Sequence, residues 1–460
     1  MGVYKVSQPI SNSYYNYLIR VINDGGSYTT VPLNQYNTQY DKIMLYNPYS
    51  VLFPSSQKNN NLYTITTTFS GFTSTRTSVG NYFDVNGRFL TADNNIARLS
   101  YVGSTQLFQG VLIEPSSTNR LLQTLSYSSP WSISGRHQII DDLFLLNSGK
   151  NMRVLIADSL NTDANSMCIR QPITINQGVN TLSFYVKKTT NHGSIGVWGF
   201  ESGGSYSINF DINTLAVTRP QTSARFTNRI GGVIPLGSDN FYCYEIFTSS
   251  VTGTTTLGFS PTTSGSQTMV AGQEISISCI QLEGNYPTSF IPTTATTITR
   301  SNDIISSPTL NVNTTQWSVF FEIEYLYDFT NGQTFDVSSS PLIWYFRRFN
   351  TTSVNFWNQN DQQNFGSLTF SPANSVKKFR CIISFNGSTI NTFINGTKTG
   401  DQVTLTDPTP FQNFFNSNTY SVRTLKGGLI GVNDSTHAIK FIALYTYQLD
   451  DTTSINLTTF

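Results

Sequence analysis

At 460 residues the chain is long enough, at roughly 100 to 200 residues per domain, to bury two or more separate cores without disulfide staples. Charged residues make up only 12%, and 27 Lys plus Arg balance 26 Asp plus Glu to a net +1, which argues against nucleic-acid binding driven by phosphate neutralisation. Three histidines and four cysteines (Cys168, Cys243, Cys279, Cys381), without CxxC or HExxH spacing, leave no dense metal site and no disulfide framework to read. Neither a metal nor a cofactor is expected. Ser, Thr and Asn supply roughly a third of the residues and aromatics 13%, a polar but aromatic mixture suited to antiparallel β-structure.

The N-terminus, Met1-Gly2-Val3-Tyr4-Lys5-Val6, lacks the apolar stretch of a secretory signal, and Val6 stands where a myristoylation motif has Ser or Thr. Residues 1–68 are rich in Tyr and Asn with few alternations, and read as an arm that cannot close a core alone. Beyond it, strand signals recur at short intervals while helical periodicity is almost absent, as in antiparallel sandwiches and unlike βαβ units. Pro292 to Asn313, rich in Thr, Ser, Asn and Pro, reads as a joint, with a linker at 304–313. Trp317 to Tyr325 alternates, with Trp317, Val319, Phe321, Ile323 and Tyr325 on one side and Ser318, Glu322 and Glu324 on a face expected to be solvated. Phe379 to Phe385 runs into Asn386-Gly387, and Ser388 to Ile394 into Asn395-Gly396, each pair suited to the two φ > 0 positions of a tight hairpin. The most apolar window, Ile439 to Leu449, is broken by Lys440 and Gln448 and is too short to span a bilayer as a helix, so no membrane insertion is expected. The fold class expected is all-β: tandem antiparallel jelly-roll sandwiches behind an N-terminal attachment arm.

From Phe69 to Asp303 the order of short motifs resembles the head spike or fibre module of bacteriophage structural proteins. The carriers are Thr75-Arg76-Thr77-Ser78, Tyr82 to Gly87, Leu90-Thr91-Ala92, Asn95 to Arg98, Tyr101, Gly110 to Pro115, Thr118-Asn119 and Trp131. They continue with Ser183 to Lys187, Phe210-Asp211, Phe241-Tyr242, Gln281 to Gly284, Pro287 to Thr293 and Thr299-Arg300. A carbohydrate-binding-module-like jelly roll within 69–303 is implied by this resemblance. Residues 314–460 look like a concanavalin-like lectin or laminin-G-type jelly roll, in which a short helix with an acidic start follows the last strand. Ala438 to Tyr445, followed by Leu449-Asp450-Asp451, fits that ending.

Glu114, beside Thr118-Asn119, reads as a buried carboxylate held by hydroxyl, amide and Arg98; a catalytic acid there would need a second carboxylate across a cleft about 5 to 10 Å away. His137, His192 and His437 lie in separate segments without a Gly-x-Ser-x-Gly elbow, so no enzyme is expected. Glu322 and Glu324 lie opposite the aromatic face, the wrong side for a glycosidase pair. Sugar binding asks less, an aromatic plane and a few planar amides, and Trp344, Tyr345, Asn355 and Trp357 supply these on two neighbouring strands. Core packing competes with that role: Trp344 alternates in phase with Leu342 and Phe346, while Trp357 is in phase with Asn355. Asp401, Asp407 and Asn433 are too scattered to suggest calcium.

The resemblance implies a homo-oligomeric virion appendage, a homotrimer with a dimer as the alternative, assembled in the host cytoplasm and displayed on the virion surface. Its arm would hold a capsid or tail protein of the same particle, and its outer domain would hold host-surface or environmental glycans. A polysaccharide depolymerase and a purely structural decoration protein are the alternatives.

Overall fold

The alternation at Trp317–Tyr325 becomes the middle of the first of two large sheets. The computed structural model describes most of residues 72–460 and, before them, the strands at 50–52, 56–58 and 61–63; the longest stretches outside the description are 1–49, 64–71, 134–142, 157–168, 307–314, 413–420 and 424–432. Cys168, His137 and His192 fall in undescribed stretches. The first sheet runs Thr397–Lys398, Thr389–Ile394, Lys378–Phe385, Trp317–Tyr325, His437–Tyr445, Phe108–Ile113 and Leu99–Tyr101, with Ser50–Leu52 also against His437–Tyr445. The second runs Ser56–Lys58, Asn61–Tyr63, Phe72–Thr75, Ile304–Ser306, Ser421–Arg423, Gly332–Ser339, Leu342–Asn350, Ser353–Asn358 and Gln363–Thr369.

Two six-stranded sheets make the other sandwich. One is ordered Ser132–Ile133, Ile169–Ile175, Gly253–Thr262, Ser194–Glu201, Gly204–Asp211 and Ala216–Gln221. Its partner is ordered Leu143–Phe144, Asn151–Ile156, Glu274–Gly284, Gly178–Lys187, Asn240–Ser249 and Phe226–Gly237. Leu182, Phe184 and Val186 meet Ile195, Val197 and Phe259 in the core between them. Tyr185, from the other face of the same strand, packs instead with Tyr242, Tyr244 and Ile246 into the larger core that holds Trp317, Phe321, Phe379 and Ile442. That sheet is thus covered on both faces, which is why Thr181 to Val186 are all buried, the polar Thr181 and Ser183 included. The arrangement is all-β apart from one α-helix, Asp451–Thr458, and a short 3-10 turn among the described residues. No described helix is long and apolar enough to cross a membrane.

Three details differ from the sequence-based expectation. Ile304–Ser306, at the start of the expected linker, is a strand bonded on both sides, to Phe72–Thr75 and to Ser421–Arg423. Two flexible-looking polar neighbours are outweighed there by an Ile-Ile pair with two open strand edges beside it. Glu322 is buried at 4% exposure, not solvated, because the face it occupies is covered. Arg380 donates to it at 2.8 Å, the C-terminal helix lies on Lys378–Phe385, and the Phe460 ring sits 4.3 Å from the Arg380 guanidinium. Of the two Asn-Gly turns, only Asn395-Gly396 has φ > 0 at both residues, +49° and +78°. At Asn386-Gly387 only the glycine does, since Asn386 Oδ1 accepts from the amides of Ser388 and Thr389 and closes the turn with its side chain.

The helix begins where the acidic pair stood: Asp450 is its N-cap and accepts from Thr453 N at 2.8 Å. Asp450→Ala should lower stability by about 1 kcal/mol in denaturant unfolding. The two large sheets touch at Gly366, where an added Cβ would fall 1.9 Å from Thr392 Oγ1 and 2.5 Å from Thr399 O. Gly366→Ala should therefore cost about 1 to 3 kcal/mol in the same assay, while Gly284→Ala, with open space around it, should cost less.

Candidate functional site

The short ladder between Ile298–Arg300 and Ser117–Asn119 brings Arg300 opposite Ser117, while Ile304–Ser306 pairs with Phe72–Thr75, so positions 76, 114, 300 and 303 converge. Arg98, just before Leu99–Tyr101, completes the group. Arg76 Nη1 donates to Asp303 Oδ1 at 2.9 Å, Arg98 donates to Glu114 Oε2 and to Asp303 Oδ2, and Arg300 Nη1 donates to Glu114 Oε2. Ser289 adds its amide to Glu114 Oε1 and its hydroxyl to Oε2, the latter at 2.7 Å. Backbone groups add three more bonds: Glu114 N donates to Asp303 Oδ2, Asp303 N to Glu114 O, and Arg300 Nη2 to Pro115 O. All five charged residues are 2% exposed or less.

Three guanidiniums against two carboxylates fix the electrostatics. Burial alone would raise the Glu114 carboxyl, but Arg300 and Arg98, helped by Ser289, outweigh it and hold it down at about 2. Burial lowers Arg76, and the nearby charge of Arg98 lowers it further. For Arg98 the pull of Asp303 and Glu114 exceeds the cost of burial, so its pKa rises. A carboxyl so depressed carries no proton to donate near neutrality, and both carboxylates are filled by guanidiniums, which leaves no acid and base facing a cleft.

Among the residues singled out from sequence, Arg98 meets Glu114 directly. Thr118 and Asn119 serve a neighbouring contact: Thr118 Oγ1 bonds to Thr299 Oγ1 at 2.7 Å, and Asn119 Nδ2 donates to Ile291 O at 2.9 Å. Arg76, Ser289, Arg300 and Asp303 were present in, or at the end of, the quoted motifs but were not assigned to the Glu114 group. Their partners lie 227, 175, 186 and 205 residues away in sequence, beyond what local spacing reveals. Beside Glu114 and Ser289 lies a cavity of about 120 Å³, walled by aromatic side chains that include Phe89, Tyr101, Tyr185 and Tyr242.

The sugar-binding candidates lie on the ribbon of Leu342–Asn350 and Ser353–Asn358. Tyr345 pairs with Trp357 and Arg347 with Asn355, so Tyr345, Asn355 and Trp357 share one face of the ribbon and Trp344 falls on the other. Their side chains lie outside the described residues. Asp401 is undescribed as well, and Asp407 Oδ1 accepts from Thr409 N at 2.9 Å. No group of three His, Cys, Asp or Glu that could hold a metal occurs among the described residues. Cys243, Cys279 and Cys381 are buried and not joined in disulfides.

No family model and no curated protein matches the chain. Solved structures do. The carbohydrate-binding module of the Ruminococcus gnavus IT-sialidase, bound to α2,3-sialyllactose, matches at 11% identity and a TM-score of 0.24, covering 32% of this chain and 84% of that one. Botulinum neurotoxin type C, whose cell entry depends on two ganglioside molecules, matches at 17% identity and TM-score 0.26, over 34% of this chain and 40% of the toxin chain. Domains LG4-5 of the mouse laminin α1 chain match at 8% identity and TM-score 0.22, over 65% of this chain and 88% of theirs.

Removing one charge from the centre would strand the others in a dry interior. Glu114→Gln should destabilise the protein by about 3 to 5 kcal/mol in denaturant unfolding, whereas Glu324→Gln, part-buried beside the half-exposed Lys378, should cost under about 1 kcal/mol. Because folding depresses the Glu114 carboxyl, its contribution is complete above the unfolded value near 4.5 and is lost as pH falls toward about 2. Melting temperature measured from pH 7 to 2 should drop most steeply below pH 4.5, and the drop should be shallower in Glu114→Gln.

Proposed function

We propose that this chain is a structural appendage of a bacteriophage virion, a head fibre or spike, whose outer β-sandwich adheres to host-surface or environmental glycans. The observation that carries the module assignment is the convergence just described. Arg76, Arg98, Glu114, Ser289, Arg300 and Asp303 come from the motifs that carry the resemblance, or from its last residue, and they meet in one buried centre. A shared motif string is then a shared internal brace, which a module needs wherever it is mounted. Support for glycan adhesion comes from the ribbon register. One strand pair offers two aromatic positions and an amide on one face, the residue types that stack against a pyranose and take its hydroxyls.

In this reading residues 1–68 hold a capsid or tail protein, 69–303 form the module and 314–460 are the lectin-like part, joined across 304–313, which opens with the Ile304–Ser306 strand. Assembly occurs in the host cytoplasm and display on the virion surface. Three chains around an axis would place three weak sites on each appendage and many on each particle, so avidity and not single-site affinity sets attachment.

Light scattering of the purified protein should give a trimer of 51.2-kDa chains; a concentration-independent monomer would remove the oligomer from the proposal. On a glycan array, the full chain should show saturable binding. Trp357→Ala should weaken it at least tenfold, with an unchanged melting temperature, and Trp344→Ala should weaken it less. Silence on the array would favour a purely structural decoration protein. Release of new reducing ends from host polysaccharide would favour a depolymerase.

A further inference from the structure

Arg120 differs from the arginines of the sandwich region that pair with carboxylates. Arg76, Arg98, Arg219, Arg229 and Arg300 each reach a carboxylate. Arg120 reaches none: its Nη2 donates to Asn180 Oδ1 at 2.6 Å and to Glu283 O at 2.8 Å, both uncharged. Its Nε and Nη1 are buried and have no hydrogen-bond partner among the described residues. Burial pushes its pKa down to about 10, with only partial relief from Glu283, yet it stays fully charged near neutrality. The Glu283 carboxylate is itself occupied, taking hydrogen bonds from Ser117, Gln281 and Thr288. A mostly buried cation without an anion is costly, and native structures offset that cost with ordered water, an ion or a ligand.

The surroundings show where an anion could sit. Arg120 forms part of the wall of a groove of about 370 Å³ with Pro172, Ile173, Thr174, Asn176, Thr254 and Thr297. Segments 118–131, 169–180, 250–262 and 290–300, which build and flank it, contain Arg120, Arg170 and Arg300 and not one Asp or Glu. Arg300 is already committed to Glu114. The side chains of Thr174, Asn176, Thr254 and Thr297 are exposed and form no hydrogen bond with described residues, so a rim of neutral donors and acceptors stands open. Pro172 and Ile173 add an apolar surface.

We propose that this groove is a second binding site, selective for the carboxylate of an acidic sugar such as a uronic acid. The guanidinium would supply the counter-charge, the Thr and Asn rim would take ring hydroxyls, and Pro172 with Ile173 would meet the C–H face of the ring. A short acidic peptide offers carboxylates too, but it does not use a rim of hydroxyls and amide matched to neighbouring hydroxyl groups. The ligand class rests on the glycan-adhesion reading, while the site is separate from the Tyr345–Trp357 ribbon.

The test is titration of the full-length protein with glucuronic acid, glucose and triglutamate, followed by calorimetry or NMR at low and high salt. Glucuronic acid should bind saturably, at least tenfold more tightly than glucose or triglutamate, and more weakly as salt rises. Arg120→Gln should abolish the preference for glucuronic acid over glucose. Since Arg120 also braces Asn180 and Glu283, the exposed Thr254→Val and Thr297→Val variants provide a second reading, each expected to lose severalfold affinity without a change in melting temperature. Equal binding of glucose and glucuronic acid, tighter binding of triglutamate, or indifference to all three substitutions would overturn the proposal. Trp357→Ala should leave glucuronic acid binding intact. Loss of array binding in that variant alone, or array silence with glucuronic acid binding retained, therefore separates failure of the ribbon site from failure of the groove.

Discussion

The buried centre of Arg76, Arg98, Arg300, Glu114 and Asp303 is the constraint on which the arrangement of the rest depends. Taking five charges out of water is expensive, and all-apolar replacements of the same shape are often as stable. What ionic pairing supplies is uniqueness. Arg98 reaches Glu114 and Asp303 at once, so the backbone around 98, 114 and 303 has one arrangement in which every charge is met. Ser289 and Pro115 O add further contacts to Glu114 and Arg300, leaving little room for a slipped register.

Around that centre the sheets interlock. Phe108–Ile113 ends at Glu114 and pairs with His437–Tyr445, so the sheet holding the C-terminal strand is tied directly to the charged centre. Ile304–Ser306, immediately after Asp303, ties the second large sheet to the same point. The fourth sheet contributes Tyr185, Tyr242 and Tyr244 to the core beneath. Its tyrosines make tilted ring contacts, Tyr185 with Phe89 of a neighbouring hairpin at 5.0 Å and with Tyr242 of its own sheet at 5.0 Å.

The strand content was legible from alternation and turn residues, and so was the acidic start of the last helix, because both are local signals. Trp317 to Tyr325 shows the extent of that legibility. Its five alternate apolar residues are all buried, as their spacing demands, yet nothing local reveals that Glu322 would be buried too, with Arg380, 58 residues on, as its partner. The same holds for the charged centre. Glu114 and Arg98, 16 residues apart, could be paired by eye, whereas Arg300 and Asp303 reach them only through strand pairings that no single segment encodes. The Arg120 groove was invisible for a different reason: its signal is a missing partner, and absence of a carboxylate becomes meaningful only once the neighbours are known.

The place of His437–Tyr445 bears on the order in which the molecule can form. On one edge it bonds Trp317–Tyr325, and on the other it bonds both Phe108–Ile113 and Ser50–Leu52, segments emerging from the ribosome hundreds of residues earlier. Those early strands must wait with an open edge while the intervening sandwich, whose pairings all fall between residues 132 and 284, can close on its own. Translation thus separates folding into an early event and a late one, and closure of the first sheet becomes a checkpoint passed only after residue 445 is made. A chain interrupted before that point would present unpaired strand edges, a mark by which cellular proteases and chaperones recognise unfinished protein.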